Sequence, residues 1–368
     1  MKKFFFLAAT LCCVAMLNAQ EIGTWSGFRE SAVSFTFDDG APSHFTHAAP
    51  LFEQYGYRAS FYPVVNWHPD WEAFKALADK GHEVGSHSIT HGQNMNGEEA
   101  ASKDSIELYI GHPCLTVAYP NCNVPNSTAV MQNYIAGRIC DGSWQGMNDY
   151  MGKDGPSDWS KVPAMVTGSM GNIHSYSDFV YQMQTNIGRG GWIAFTTWGF
   201  TGEINNGDVT ISPTDLYAIE EALEWANERD EDVWVAPLCD VAMYIKERKA
   251  CTFEEIASDA TSRTYSLTHS IADDVCDYQF PLSLRVPDNG WTDVEVLLRG
   301  VKLASKLAGG YVYFDAVPNV GYIEVRISTG TAIDNVYAEP AASKLIEDGK
   351  LFIIRGENTY NITGQLVK

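Results

Sequence analysis

Two short segments hold the side chains best suited to chemistry: Ser34-Phe35-Thr36-Phe37-Asp38-Asp39-Gly40 and His87-Ser88-Ile89-Thr90-His91. Two carboxylates and two imidazoles form a donor set that suits Zn²⁺. Histidines four apart fall on one side of a helical turn, so His87 and His91 are expected to grip one ion, with a carboxylate as third ligand and a fourth position left for water. An open position is the mark of a catalytic metal rather than a structural one. The strand-like run from Ala32 to Phe37 leads straight into Asp38 and Asp39, so both carboxylates are expected where a buried strand opens into a loop. Such strand ends carry the active sites of α/β barrels.

The elements that must position these residues follow an alternating pattern. Candidate strands Ala32 to Phe37, Ala59 to Val64, Glu83 to Ser86, Leu115 to Ala118, Trp192 to Thr197 and Val233 to Ala236 are separated by stretches of helical composition. Repeated βα units imply a mostly parallel sheet or barrel. Four of these strand patterns run directly into polar or special residues: Asp38-Asp39, His87 to His91, Tyr119-Pro120-Asn121 and Trp198-Gly199. Strand ends on one rim meet in space, which points to a single cleft.

After about Cys251 the pattern changes to short alternating strands, Tyr278 to Val286, Trp291 to Leu298, Tyr311 to Phe314 and Tyr322 to Ser328, bounded by turn residues, as in an antiparallel β-sandwich. The expected organisation is residues 1–20 as a signal peptide, 21–250 as the α/β domain, 251–343 as a β-sandwich-like domain and 344–368 as a strand-turn-strand segment. Lys2 and Lys3 before the apolar run Phe4 to Leu17, closed by Asn18-Ala19-Gln20, predict export to the periplasm, cell surface or medium. No later run is long and apolar enough to cross a bilayer as a helix. With 46 Asp and Glu against 25 Lys and Arg, and no basic stripe, nucleic acid is an unfavourable partner. Six cysteines remain after the leader, and their pairing cannot be read from spacing. Nothing in the sequence sets the oligomeric state.

Over roughly residues 32 to 248 the chain resembles the polysaccharide deacetylases of carbohydrate esterase family 4, the NodB-homology fold. The resemblance implies a distorted (β/α) barrel, with Asp38 as catalytic base and Asp39, His87 and His91 holding the metal, usually Zn²⁺, though another divalent transition metal is compatible. It further implies that the backbone N–H of Asn121, after Pro120, stabilises an oxyanion. Tyr119, Pro120, Trp159 and Trp198 would then line the substrate cleft. Three family positions differ: the third motif's Arg is Ala118 and its Tyr is Asn121 here, and the fifth motif's acid His is replaced by Trp198. His44 is a candidate substitute acid. The implied activity is metal-dependent deacetylation of an acetylated polysaccharide or oligosaccharide, in which a Zn²⁺-activated water attacks the acetyl carbonyl as Asp38 removes its proton. An ester needs less help in leaving than an amide, so loss of the acid His favours O-acetyl over N-acetyl groups. A homologue that keeps the metal site and binds carbohydrate with weakened turnover is the alternative.

Overall fold

The computed structural model describes residues 20–328 except 94, 125, 144–145, 202–210 and 273–274, together with the backbone of three strands in the tail. The expected leader lies outside the described residues apart from Gln20, as does the chain end from 362. In chain order the α/β part comprises β1 (Glu21–Ile22), β2 (Ser31–Asp39), α1 (Ala49–Gln54), β3 (Ser60–Pro63), α2 (Trp71–Asp79), β4 (Glu83–Val84), α3 (Glu99–Ile110), β5 (Thr116–Ala118) and α4 (Ser127–Asn133). It continues through β6 (Ala136–Arg138), β7 (Met165–Val166), α5 (Tyr176–Arg189), β8 (Trp192–Thr197), α6 (Leu216–Asn227), β9 (Val233–Val235) and α7 (Leu238–Ala250).

β2 organises the sheet. It is buried from Ser31 through Asp38, as a parallel strand covered on both faces must be. One edge pairs in parallel with β8, and the opposite edge is shared between β9 at its start and β3 at its end. β4 beyond β3 and β7 beyond β8 complete six strands. β5 and β6 form a separate parallel pair, and isolated bridges from Ser86 to Val117 and from Arg138 to Val162 join its two sides to neighbouring segments. Since all these strands run the same way, their C-terminal ends share one rim. Phe35, Phe37, Phe52, Phe61, Phe179 and Phe195 fill one side of the sheet with edge-on and stacked ring pairs. The helices lock on locally: Asp70 caps α2 through the Ala73 N–H, and Ser175 with Asp178 closes a capping box on α5.

The β-rich part contains β10 (Thr252–Ser258), β11 (Ser262–Thr268), β12 (Leu282–Pro287), β13 (Val294–Leu298), β14 (Val301–Leu303), β15 (Ser305–Ala308), β16 (Tyr311–Ala316) and β17 (Tyr322–Ile327). Two antiparallel sheets result, β1-β12-β16-β15 and β10-β11-β17-β13-β14. Leu282, Leu284, Val286, Val312 and Phe314 of the first pack with Tyr265, Leu267, Val296, Ile323 and Val325 of the second. Both parts belong to one compact unit that ends at Ile327. They also share material: β1 pairs with β12, while Trp234 and Tyr244 from the α/β part join the sandwich core. The tail, a second unit, holds an antiparallel order β18 (Ser343–Glu347), β19 (Lys350–Arg355), β20 (Asn358–Asn361). No helix among the described residues is long and apolar enough to cross a membrane.

Candidate metal centre

Asp38 and Asp39 end β2, and the backbone separates their roles. Asp38 continues the strand and is 1% exposed, whereas Asp39 adopts a left-handed φ of 77° that swings its carboxylate toward the rim. His87 and His91 follow β4, and their loop differs from the expected helical turn. Ser88 and His91 have φ of 65° and 58°, values that interrupt a helix. Side chains hold the loop instead. Ser86 Oγ accepts from the Ser88 N–H, Ser88 Oγ accepts from the His91 N–H, and Glu98 accepts from the Ile89 and Thr90 N–H groups and the Thr90 hydroxyl. These contacts bring the two rings together, with centroids 4.9 Å apart.

The donors suit one divalent ion. Asp39 Oδ1 lies 3.4 Å from His87 Nε2 and 3.6 Å from His91 Nε2, and the three ligand atoms fall within 4.8 Å of one another. Ligands about 2.0–2.2 Å from a tetrahedral ion stand roughly 3.3–3.5 Å apart, so the Asp–His spacings match donors turned on a common point. Asp39 Oδ1 is buried with no hydrogen-bond donor among the described residues. His87 is oriented from behind, as metal-binding imidazoles usually are: its Nδ1 bonds the Ala118 carbonyl at 2.8 Å, leaving Nε2 for the ion. Burial pushes the Asp39 carboxyl up, but the close His87 ring, with the charges of His87, His91 and His44, holds it below the usual range. Burial pulls His87 down, and the Asp38 charge and Asp39 contact more than reverse it. Burial and then the His87 charge lower His91.

The residue that sequence reading missed is Arg138. It ends β6 fully buried, and its guanidinium clasps both oxygens of Asp38 while its Cζ sits 5.5 Å from the Tyr62 ring centroid. Arg138 is the register partner of Ala118. The charge absent from Ala118 is therefore supplied from the adjacent strand, a substitution that a linear motif search cannot detect. A buried carboxylate left without such a partner would be costly. Trp67 was also passed over. It is 52% exposed, and its ring centroid lies 4.9 Å from that of His91 at the rim.

Other candidates are placed differently. Tyr119 is wholly buried, donates its hydroxyl to the Ser160 carbonyl at 2.8 Å and lies over Gly137, where any Cβ would clash with its ring. It is a core residue, and Pro120 beside it is buried too, so neither forms a free cleft wall. Trp159 packs near Trp192 at the start of β8, the end opposite the rim, with the Lys246 ammonium over its ring. That location removes it from the cleft. Trp198 is at the rim but 6% exposed, packed with Val166 and the Cys122–Cys140 disulfide. Asn121 remains where a substrate could reach it: exposed, with φ of 54°, in a turn next to that disulfide. His44 is buried in a π-turn against Phe37 and Phe61, and its Nε2 meets the Trp198 carbonyl.

Residues 26–132 match the family model for polysaccharide deacetylase, a span that includes Asp38, Asp39, His87, His91 and Asn121. That segment is a polysaccharide deacetylase domain. The chain is also 22% identical over 327 residues to a gellan lyase of a Bacillus species, covering 83% of this chain but only 13% of that protein's length. Among solved structures, a putative polysaccharide deacetylase from Mycobacterium smegmatis is 15% identical with a TM-score of 0.45, covering 62% of this chain and 94% of that one. The peptidoglycan deacetylase PdaC from Bacillus subtilis is 17% identical with a TM-score of 0.37, covering 59% and 92%. A family 4 acetyl xylan esterase from Clostridium thermocellum, in complex with a cobalt ion, is 16% identical with a TM-score of 0.35, covering 57% and 89%.

Proposed function

We propose that this chain is an exported, metal-dependent hydrolase that removes acetyl groups from a polysaccharide or oligosaccharide, with O-acetyl esters favoured over N-acetyl amides. The observation that carries this reading is the convergence of Asp39, His87 and His91 on one point beside an Asp38 that is clasped by Arg138. Zn²⁺ or a similar ion bound there would supply Lewis-acid polarisation of water and of the acyl oxygen. Arg138 fixes the orientation of Asp38, which takes the proton from the attacking water. The Asn121 N–H receives the developing negative charge. With Trp198 buried and the His44 Nε2 engaged by the Trp198 carbonyl, no side chain at the fifth-motif position is free to protonate the leaving atom. Asp38 then returns its own proton, which suffices better for an alkoxide than for an amide nitrogen.

The strand pairing from β2 through β3 and β4, with the bridges at Ser86 and Arg138, supports reading the sheet as a distorted (β/α) barrel whose weakest links lie beside β5 and β6. Residues 251–343 are read as an accessory β-domain and 344–368 as a separate closing segment. The experiment is acetate release from acetylated xylan and from chitin oligomers by Zn²⁺-loaded protein. Release from xylan that falls about 10²–10⁴-fold in Asp38→Asn supports the proposal. Faster release from chitin oligomers overturns the ester preference, and no release with metal bound leaves the carbohydrate-binding alternative.

A further inference from the structure

Away from the metal centre, the outer face of the β1-β12-β16-β15 sheet carries side chains unlike the plain polar surface a half-solvated sheet presents. Alternation along β16 turns Val312, Phe314 and Ala316 into the sandwich core and Tyr311, Tyr313 and Asp315 outward. Register sets Arg285 and Lys306 on either side of Tyr313, and Ser283 beside Asp315. Phe28, from the turn after β1, closes over this face, its ring edge-on to Tyr313 at 5.2 Å. The Arg285 guanidinium lies over Phe28 at 5.1 Å and over Tyr311 at 4.7 Å, which holds the aromatic group in place.

Phe28 is held in a conformation that non-glycine residues seldom adopt, with φ of 60°, and the Gly27 N–H anchors the turn on Ser283 Oγ at 2.7 Å. Backbone strain of this kind persists where the surroundings enforce it, commonly at binding sites. Gly27, Phe28, Ser283, Lys306, Tyr313 and Asp315 line an open cavity of about 500 Å³, within the range of small-ligand sites.

We infer that this cavity is a second carbohydrate-binding site, which takes a pyranose ring of a neutral glycan chain independently of the metal centre. Tyr313 and Phe28 offer apolar ring surface that matches the C–H face of a sugar. Asp315 accepts hydrogen bonds from hydroxyls and Lys306 donates to them, the Asp315 carboxylate being fixed by the Ser283 hydroxyl. Charge disfavours an anionic ligand: Arg285 is paired with Glu21, and Lys306 shares the cavity with the Asp315 carboxylate. The site would keep the enzyme on a polymer while the metal centre turns over.

Affinity electrophoresis of the full chain tests this in gels containing hydroxyethyl cellulose, arabinoxylan, galactomannan or glycol chitin. The expected result is retardation in at least one gel, retained by Asp39→Asn and weakened about tenfold or more in affinity by Tyr313→Ala, the loss typical of truncating an aromatic anchor. Lys306→Ala, at an exposed position that leaves the core intact, should weaken it in the same gel. No retardation in any of the four gels overturns the inference. So does retardation that Tyr313→Ala and Lys306→Ala leave unchanged, or that Asp39→Asn abolishes.

Discussion

On one side of the strand-end rim, Asp39, His87 and His91 come from the segments after β2 and β4 and aim at a common point. On the other side, β5, β6 and β8 present Ala118, Arg138 and Trp198, two of them departures from the family pattern. The metal side depends on distances set by strained backbone: left-handed Asp39, Ser88 and His91, with Glu98 and Ser86 holding the loop. The other side depends on buried packing: a guanidinium supplied by the neighbouring strand, and a Trp wedged against a disulfide. The cation beside Asp38 comes from β6, at the register partner of Ala118, and keeps both carboxylate oxygens in contact. A proton donor must reach the leaving atom, and a buried indole cannot replace it.

The largest expected effect lies at Arg138. Replacing it with Met leaves the Asp38 carboxylate buried without its partner, which should cost about 3–5 kcal/mol of stability in chemical denaturation. Ala118→Arg added to that variant should recover part of the loss, because positions 118 and 138 are register partners on adjacent strands. If Arg138→Met is as stable as the parent, the ion pair is not what holds Asp38.

Next comes the disulfide, which closes a loop of sequence separation 18 and backs both Asn121 and Trp198. Cys122→Ser with Cys140→Ser should cost about 3 kcal/mol. Acetate release should fall further than metal content does, because the disulfide backs Asn121 and Trp198 directly and reaches the ligands only through the Asn121 contact with the His91 carbonyl. Equal losses of metal and activity would show that the two sides are not separate.

Much of the metal side was legible in the sequence, since Asp38-Asp39 and His87 to His91 are contiguous motifs whose residue types state their chemistry. The strand Trp192–Thr197 and the sandwich strands around Leu282, Val294, Tyr311 and Tyr322 were legible too, through apolar runs and turn punctuation. The helical turn expected for His87 to His91 failed because Ser88 and Glu98 offer the backbone better partners than a helix would. Arg138 stayed hidden because β6 is only Ala136–Arg138, too short to show periodicity, and its meaning depends on register with β5. β10 and β11 were missed because β10 is almost wholly exposed and β11 turns only Tyr265 and Leu267 inward among polar residues, which leaves little strand signal. The burial of Tyr119 and Trp159 depends on partners distant in sequence, Gly137 and Trp192.

A control on the scaffold comes from His82. Burial, then the Arg58 charge, lowers it to about 4 from 6.5, and its Nδ1 accepts the Ala59 N–H at 3.1 Å, so the folded state holds it neutral. A depressed folded pKa contributes stability that is complete above about 6.5 and is lost as pH falls through about 4. The melting temperature should therefore drop over that window, with a shallower slope in His82→Asn. An unchanged slope would assign the acid sensitivity to other groups.

The smallest effect concerns Trp198. A leaving-group acid contributes about 10²–10⁴-fold where it is well placed. In Trp198→His the new ring replaces one wedged against the disulfide, so only part of that range is expected. Amide hydrolysis should rise relative to ester hydrolysis. If both change equally, the position does not face the leaving atom.

Acetyl hydrolysis should depend on one ion held by Asp39, His87 and His91. This dependence is tested most directly by titrating metal-stripped protein with Zn²⁺ while following acetate release from acetylated xylan. The prediction is activity that is absent after stripping, rises with added Zn²⁺ and saturates near one equivalent per chain. Activity that survives complete stripping, or that stays absent when one equivalent is bound, would contradict it.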